Sequence, residues 1–186
     1  MLMSSMDHTP ARFRLSEPVG PRDHSLGSPD APITIVEYGD YECPDCFNFV
    51  PIIRQVRQKL GERLLFVFRH FPRSNIHPNA SMAAEVAEAA GDQGKFWEMH
   101  EALFKHQKEL AELDLTHLAL SVGLEIYRFE SSRSSNLHRR RIQDDYQSGV
   151  RSGVTKTPTL FINGLRYDGA IEAQAIVTWA LRADGD

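Results

Sequence analysis

An α/β fold carrying a helical insertion is what the sequence predicts, and three observations lead there. The first is a β-branched and aromatic run, Ile33–Thr34–Ile35–Val36–Glu37–Tyr38, followed at a distance by a second apolar run, Leu64–Leu65–Phe66–Val67–Phe68, with helical periodicity between them. Strand, helix, strand in that order implies a right-handed crossover and a parallel pair. The second is that residues 77–153 contain several helical periods and no convincing strand. The third is the closing pattern Thr159–Leu160–Phe161–Ile162, Asn163–Gly164, Leu165–Arg166–Tyr167. Asn-Gly between apolar runs signals a two-residue hairpin whose turn residues both take positive φ.

Taken in order, residues 1–31 are rich in Pro, Ser, Gly and charge and read as a flexible N-terminal arm, with periodic structure starting at Ile33. After the loop Gly39–Asp40–Tyr41–Glu42 a helix is expected from the cysteines to Leu60, stopped by Gly61 and kinked at Pro51, which lacks a backbone donor. Residues 32–76 and 154–186 then make one domain and 77–153 an inserted helical one. Within the insertion the helices expected are Pro78–Ala90, Lys95–Gln107, a short one capped by Asp114 and ended near Gly123, Ile126–Ser132 and Asn136–Ser152. A last helix spans Glu172–Leu181. Phe96, Trp97, Met99, Phe104 and Trp179 fall at core spacing, and His100 on the same stripe reads as a packed histidine.

The 186 residues are 41% hydrophobic and 25% charged, as an ordinary globular chain is. A formal net charge of -4 offers no basic surface, so nucleic acid is not an expected partner; Arg139–Arg140–Arg141 reads as a solvated helix face. No run approaches the roughly 18 apolar residues of a membrane-spanning helix, and Asp7, Arg12, Arg14 and Glu17 interrupt any signal-peptide core. The expectation is a cytoplasmic protein with no membrane partner.

The two cysteines stand three apart in Cys43–Pro44–Asp45–Cys46. Closing so short a loop removes little entropy from the unfolded chain, so the pair is a poor staple. At the junction of a strand and a helix, however, the first sulfur meets unpaired N–H groups and the positive end of the helix dipole, which favour thiolate over thiol. The second cysteine, one turn on, is placed to resolve a mixed disulfide. Pro44 suits the first helical turn. Half a zinc site has the same pattern, but no second Cys pair exists, and His70 and His77 fall across a strand from the cysteines. A second element is Thr157–Pro158, a proline directly before a strand: either a cis peptide in a tight turn or only a strand-entry proline.

These elements, together with Asp30–Ala31–Pro32, the Tyr-Gly-Asp-Tyr lead-in, Phe68–Arg69–His70–Phe71–Pro72, His77–Pro78–Asn79–Ala80, Gln93–Gly94–Lys95–Phe96–Trp97 and Thr157 to Gly164, resemble the DsbA-like branch of the thioredoxin superfamily. The resemblance runs from about Asp23 to the end and implies a thioredoxin fold with an inserted helical domain. It implies a thiol–disulfide oxidoreductase in which Cys43 attacks and Cys46 resolves, while Glu37 moves protons to and from the second cysteine. Pro44, Asp45, Thr157 and Pro158 form the expected substrate-binding set. Read from the residues, Glu37 is either a buried acid with a raised pKa or a strand-edge carboxylate facing water. The strongly oxidising members carry histidine where Asp45 stands, and a carboxylate there disfavours the thiolate, implying a more reducing pair. Lys156 offsets Asp45 only if it reaches the site. No bound cofactor is expected; the partners are protein or small-molecule thiols and disulfides and an unidentified redox-recycling partner. The other reading is a non-catalytic thioredoxin-like interaction or regulatory domain.

Overall fold

The computed structural model describes residues 13–111, 114–134 and 137–183. Its centre is the parallel pair that the apolar runs predict, β2 (Ile33–Gly39) beside β3 (Leu64–His70), joined by α1 (Pro44–Leu60). On α1 the residues Cys46, Phe49, Ile53, Val56 and Leu60 are buried at alternating steps of three and four, and Pro51 is carried inside the helix. The hairpin follows: β4 (Thr159–Ile162) runs antiparallel to β2, β5 (Leu165–Tyr167) antiparallel to β4, and α7 (Ala173–Ala183) closes the chain.

One strand departs from expectation. His24–Leu26, inside the stretch read as a flexible arm, forms β1 and pairs antiparallel with Phe66–Phe68 of β3, giving the sheet order β1-β3-β2-β4-β5. Three residues carry too short a pattern to register as a strand, and what holds them is remote. Arg69 donates from Nε and Nη2 to the Asp23 carboxylate at 2.8 and 2.9 Å, and to the carbonyls of Glu17 and Pro18. Arg14 also bridges to Leu165. The boundary at residue 31 is therefore not where ordered structure starts; residues 1–12 lie outside the described residues.

Among the described residues, five α-helices stand between β3 and β4: α2 (Ala80–Gly91), α3 (Phe96–Lys105), α4 (Leu115–Ser121), α5 (Ile126–Arg133) and α6 (Leu137–Arg151). Asp114 caps α4 as its position implies, accepting from the His117 N–H. Helix α2 starts two residues later than its pattern suggests, because the His77 N–H bonds to the Arg73 carbonyl and that of Asn79 to the Glu42 carboxylate. Phe96, Met99 and Phe104 are core, and Trp97 and Trp179 are partly buried against it. On α6 Arg139 and Arg140 are exposed, whereas Arg141 turns inward toward Asp145.

The strands alternate between two buried faces. Ile33 and Ile35 of β2 pack with Phe66 under α1 and α7, whereas Val36 and Tyr38 pack with Val67 and Phe161 on the other side. Glu37 continues the Ile33, Ile35 series, opposite Phe68 in register, and so ends inside the protein beneath the start of α1. Asn163 and Gly164 both have positive φ, 47° and 76°, and the Asn163 Oδ1 accepts from the Thr34 N–H at 2.8 Å. Asn163→Ala should cost about 1–2 kcal/mol in urea unfolding, from the left-handed backbone and the lost bond together. An unchanged midpoint would show that the turn does not hold the hairpin.

Candidate active site

Cys43 is the N-cap of α1, with extended dihedrals (φ -77°, ψ 120°), and Pro44 takes the first helical position. The Cys43 carbonyl accepts the first helical bond, from Phe47 N–H, and no side chain caps the helix. The Cys43 sulfur thus occupies the place where a capping oxygen would sit. Both cysteines are free and buried, Cys46 completely.

Several groups that the sequence reading passed over hold this turn. Asp40 is fully buried; its carboxylate accepts from the N–H groups of Glu42 and Arg73 and from His77 Nδ1, all at 2.8 Å. Its carbonyl accepts from the Cys43 N–H. From the turn after α3, Gln107 Nε2 donates to the carbonyls of Tyr41 (2.8 Å) and Cys43 (2.9 Å). An acid in a Gly-Asp-Tyr loop is a turn signal that could have flagged Asp40. Gln107 carries no such signal, since its partners are backbone atoms more than sixty residues away.

The Thr157–Pro158 peptide is cis, and the loop lies against the cysteines: Cys43 Sγ is 3.3 Å from the Thr157 carbonyl oxygen. That bond belongs to the thiol, since a carbonyl can only accept. Four other groups favour the thiolate. The largest is the Cys46 thiol, which donates to the Cys43 sulfur; burial opposes it, and the Thr157 side chain and the N–H groups of Cys46 and Asp45 add to it. The outcome is a Cys43 pKa lowered to about 6. Thr157 Oγ1 is buried and has no hydrogen-bond partner among the described residues while Cys43 is a thiol, so it is free to turn to the ionised sulfur.

Cys46 moves the other way. Burial raises it well above the ordinary thiol value, and its bond to Cys43 and the charges of Glu37 and Cys43 raise it further. Glu37 is raised to about 8, first by burial and then by the Cys43 charge. The structure thus brings Cys43, Cys46, Glu37, Pro44, Asp45, Thr157 and Pro158 to one place. The Asp45 side chain is exposed, and so is Lys156. Both line a groove of ≈ 380 Å³ between the start of α1 and the Pro158 loop, floored by Phe49, Ile52, Leu160 and Tyr167. A second groove, ≈ 600 Å³, runs on the other side of α1 past Phe47, Val50, Pro51 and Phe104.

A sheet of this order with a strand-to-helix Cys-x-x-Cys facing a cis-proline loop defines a thioredoxin-fold protein with a dithiol centre. The family model described as Thioredoxin matches residues 20–179, and the chain belongs to that family. Its architecture is DsbA-like. A thioredoxin-like oxidoreductase from Silicibacter pomeroyi DSS-3 superposes with a TM-score of 0.76 at 23% identity, over 90% of this chain and 95% of that one. Alpha-DsbA1 of Wolbachia pipientis gives 0.75 at 23% identity, over 92% and 94%. In sequence, the chain is 42% identical over 173 residues to a protein named Na(+)/H(+) antiporter NhaA 1 of Mycolicibacterium gilvum, covering 90% of this chain and 28% of that protein. A protein of the same name from Salinispora arenicola is 43% identical over 163 residues, 87% of this chain and 25% of the relative. The chain thus spans about a quarter of the length of these relatives. Among the described residues no helix is long and apolar enough to cross a membrane.

Proposed function

We propose that the protein exchanges disulfides with protein or small-molecule thiols through Cys43 and Cys46, without a bound cofactor. The observation that carries this reading is the opposite pull on two adjacent sulfurs, Cys43 lowered to about 6 and Cys46 raised. At neutral pH Cys43 is then the nucleophile and Cys46 remains protonated. The Cys43 thiolate attacks a substrate disulfide, forms a Cys43–substrate disulfide and expels the substrate's other sulfur as a thiolate. The mixed disulfide removes the Cys43 charge that helps to hold the Glu37 proton, so Glu37 passes that proton to the departing substrate thiolate and then takes the Cys46 proton as Cys46 attacks the Cys43 sulfur. The Cys43–Cys46 disulfide forms and the second substrate sulfur leaves; the reverse sequence oxidises a dithiol. Pro44, Asp45, Thr157 and Pro158 are the residues that meet the substrate.

The direction proposed is reduction. Asp45 places a carboxylate in the first turn of α1, where it opposes a thiolate. A thiol near 6 is also closer to thioredoxin, at about 7, than to the strong oxidant DsbA, at about 3.5. A reducing cytoplasm, with a separate protein or thiol that recycles the pair, completes the proposal. Equilibration in glutathione buffers, read by alkylation and mass spectrometry, should give a potential nearer about -270 mV than about -120 mV. A value near the upper figure would reverse the direction. A pair that shows no exchange at any glutathione ratio would remove the function.

The names of the curated relatives favour a second reading, a non-catalytic module acting on a sodium/proton antiporter. It differs in one respect that is easily measured: such a module keeps its effect when both cysteines are replaced by serine.

A further inference from the structure

Outside the cysteine site, three donor atoms from distant parts of the chain converge. His24 opens β1, His70 closes β3 and Glu88 lies in α2. His24 Nε2 is 2.8 Å and His70 Nε2 2.9 Å from the same oxygen, Oε1 of Glu88, and the three atoms lie within 4.8 Å of one another. We propose that His24, His70 and Glu88 form a binding site for one divalent transition-metal ion of the zinc type.

The donor set is two imidazoles and one carboxylate. Zinc takes that set in sites that keep a fourth position open, whereas calcium and magnesium want oxygen. The donors already face one point. Burial alone would raise Glu88, but the bonds from His24 and His70 outweigh it and hold the carboxyl well below its usual range. An ionised carboxylate only accepts, so without an ion both rings hold a proton on Nε2 toward it; a metal ion takes the place of those two protons, which pass to the ring Nδ1 atoms or to solvent. The rings are also fixed from behind: His24 stacks on Phe96 with centroids 3.5 Å apart, and His70 stands edge-on to Phe68 at 5.5 Å.

Access is one-sided. The His70 side chain is 1% exposed and that of Glu88 9%, while His24 is 19% exposed. An ion and a fourth ligand would enter past His24. At metal–ligand bonds of about 2.0–2.1 Å, tetrahedral donors sit roughly 3.3 Å apart, so Glu88 Oε1 and each imidazole nitrogen must part by about half an ångström. An arm strand only three residues long permits that on the His24 side. The proposed exchange mechanism uses none of these residues, and the site uses neither cysteine. Loading would join β1, β3 and α2 through one ion and so tie the arm to the body of the protein.

The test uses the full chain with Cys43→Ser and Cys46→Ser, which removes thiolates as competing ligands, stripped with EDTA and titrated with zinc chloride. Calorimetry should give one ion per chain with a dissociation constant at or below about 1 µM, and cobalt should give the visible bands of a four-coordinate nitrogen and oxygen site. His24→Gln should weaken binding at least about 100-fold. Proton NMR reads the site without that substitution: zinc should shift the ring resonances of His24 and His70 and leave those of the exposed His117 in place. No binding at 1 mM zinc, on the order of a thousand times the expected constant, would leave the three residues as a hydrogen-bonded pin for β1 and overturn the proposal. So would binding that His24→Gln does not weaken, or shifts confined to His117.

Discussion

Cys43→Ser is expected to slow the reduction of insulin disulfides by on the order of a thousandfold or more, the loss that follows removal of a nucleophile. Cys46→Ser should leave the first step and block the second. It should accumulate a Cys43–substrate disulfide visible as a mass increase on the intact chain. The two variants separate the roles because the sulfurs differ in environment and not in kind. Cys43 stands at the open end of α1, within reach of the Cys46 thiol and the N–H groups of Asp45 and Cys46, whereas Cys46 is sealed under the sheet. The same geometry predicts a difference between two substitutions of Cys46. Cys46→Ser keeps an O–H that donates to the Cys43 sulfur, and Cys46→Ala does not. Cys43 should therefore ionise at higher pH in Cys46→Ala, read by thiolate absorbance at 240 nm, roughly the wavelength where the ionised sulfur absorbs. If Cys46→Ser traps nothing and Cys43→Ser keeps its rate, the exchange mechanism is wrong.

The parts of this protein legible in the sequence are those that rest on local rules. Ile33–Tyr38 and Leu64–Phe68 announce buried strands because every residue in them suits a pleated apolar layer, and they do pair in parallel. Asn163–Gly164 announces its turn because few residues accept positive φ, and both take it. Cys43 and Cys46 are legible because thiol spacing and helix polarity are both local. What stayed hidden depends on distant partners. Strand β1 exists because Arg69, forty-six positions from Asp23, holds the segment before it. Gln107 reaches Cys43 from across the insertion. The periodicity of β2 gives Glu37 its face, but only the lid formed by α1 settles between burial and water. The same holds for His24, His70 and Glu88: the sequence offers His70 only as a partner for the cysteines and gives His24 and Glu88 no signal, and only the packing of β1, β3 and α2 brings the three to one point.

Glu37 carries the second large effect, and it concerns stability and pH. Its folded-state pKa, about 8, stands above the unfolded value of 4.5. Between those two values the folded chain keeps a proton that the unfolded chain has lost, so the Glu37 contribution to stability falls as pH rises from about 4.5 to about 8. Glu37→Gln cannot titrate, so its stability should lack that component. Measured by urea unfolding of the reduced proteins, the wild type should lose about 3–5 kcal/mol relative to Glu37→Gln between pH 4.5 and pH 9. Comparing the two proteins cancels Cys43, which acts with the opposite sign. Its folded value, about 6, lies below the unfolded 9.0, and so the thiolate adds stability as pH climbs through that window. The cancellation is not complete, because the Cys43 charge is the second cause of the Glu37 shift. In a Cys43→Ala background the difference between Glu and Gln at position 37 should shrink but persist, since burial remains. Equal pH dependence with and without Glu37 would mean that the carboxyl keeps an ordinary pKa and is too weak a base to draw the proton from Cys46 efficiently. With the raised value, and on the proposed mechanism, the acid costs the fold stability at the pH where it would take that proton, a cost that a merely structural side chain in the centre of β2 would not be expected to impose.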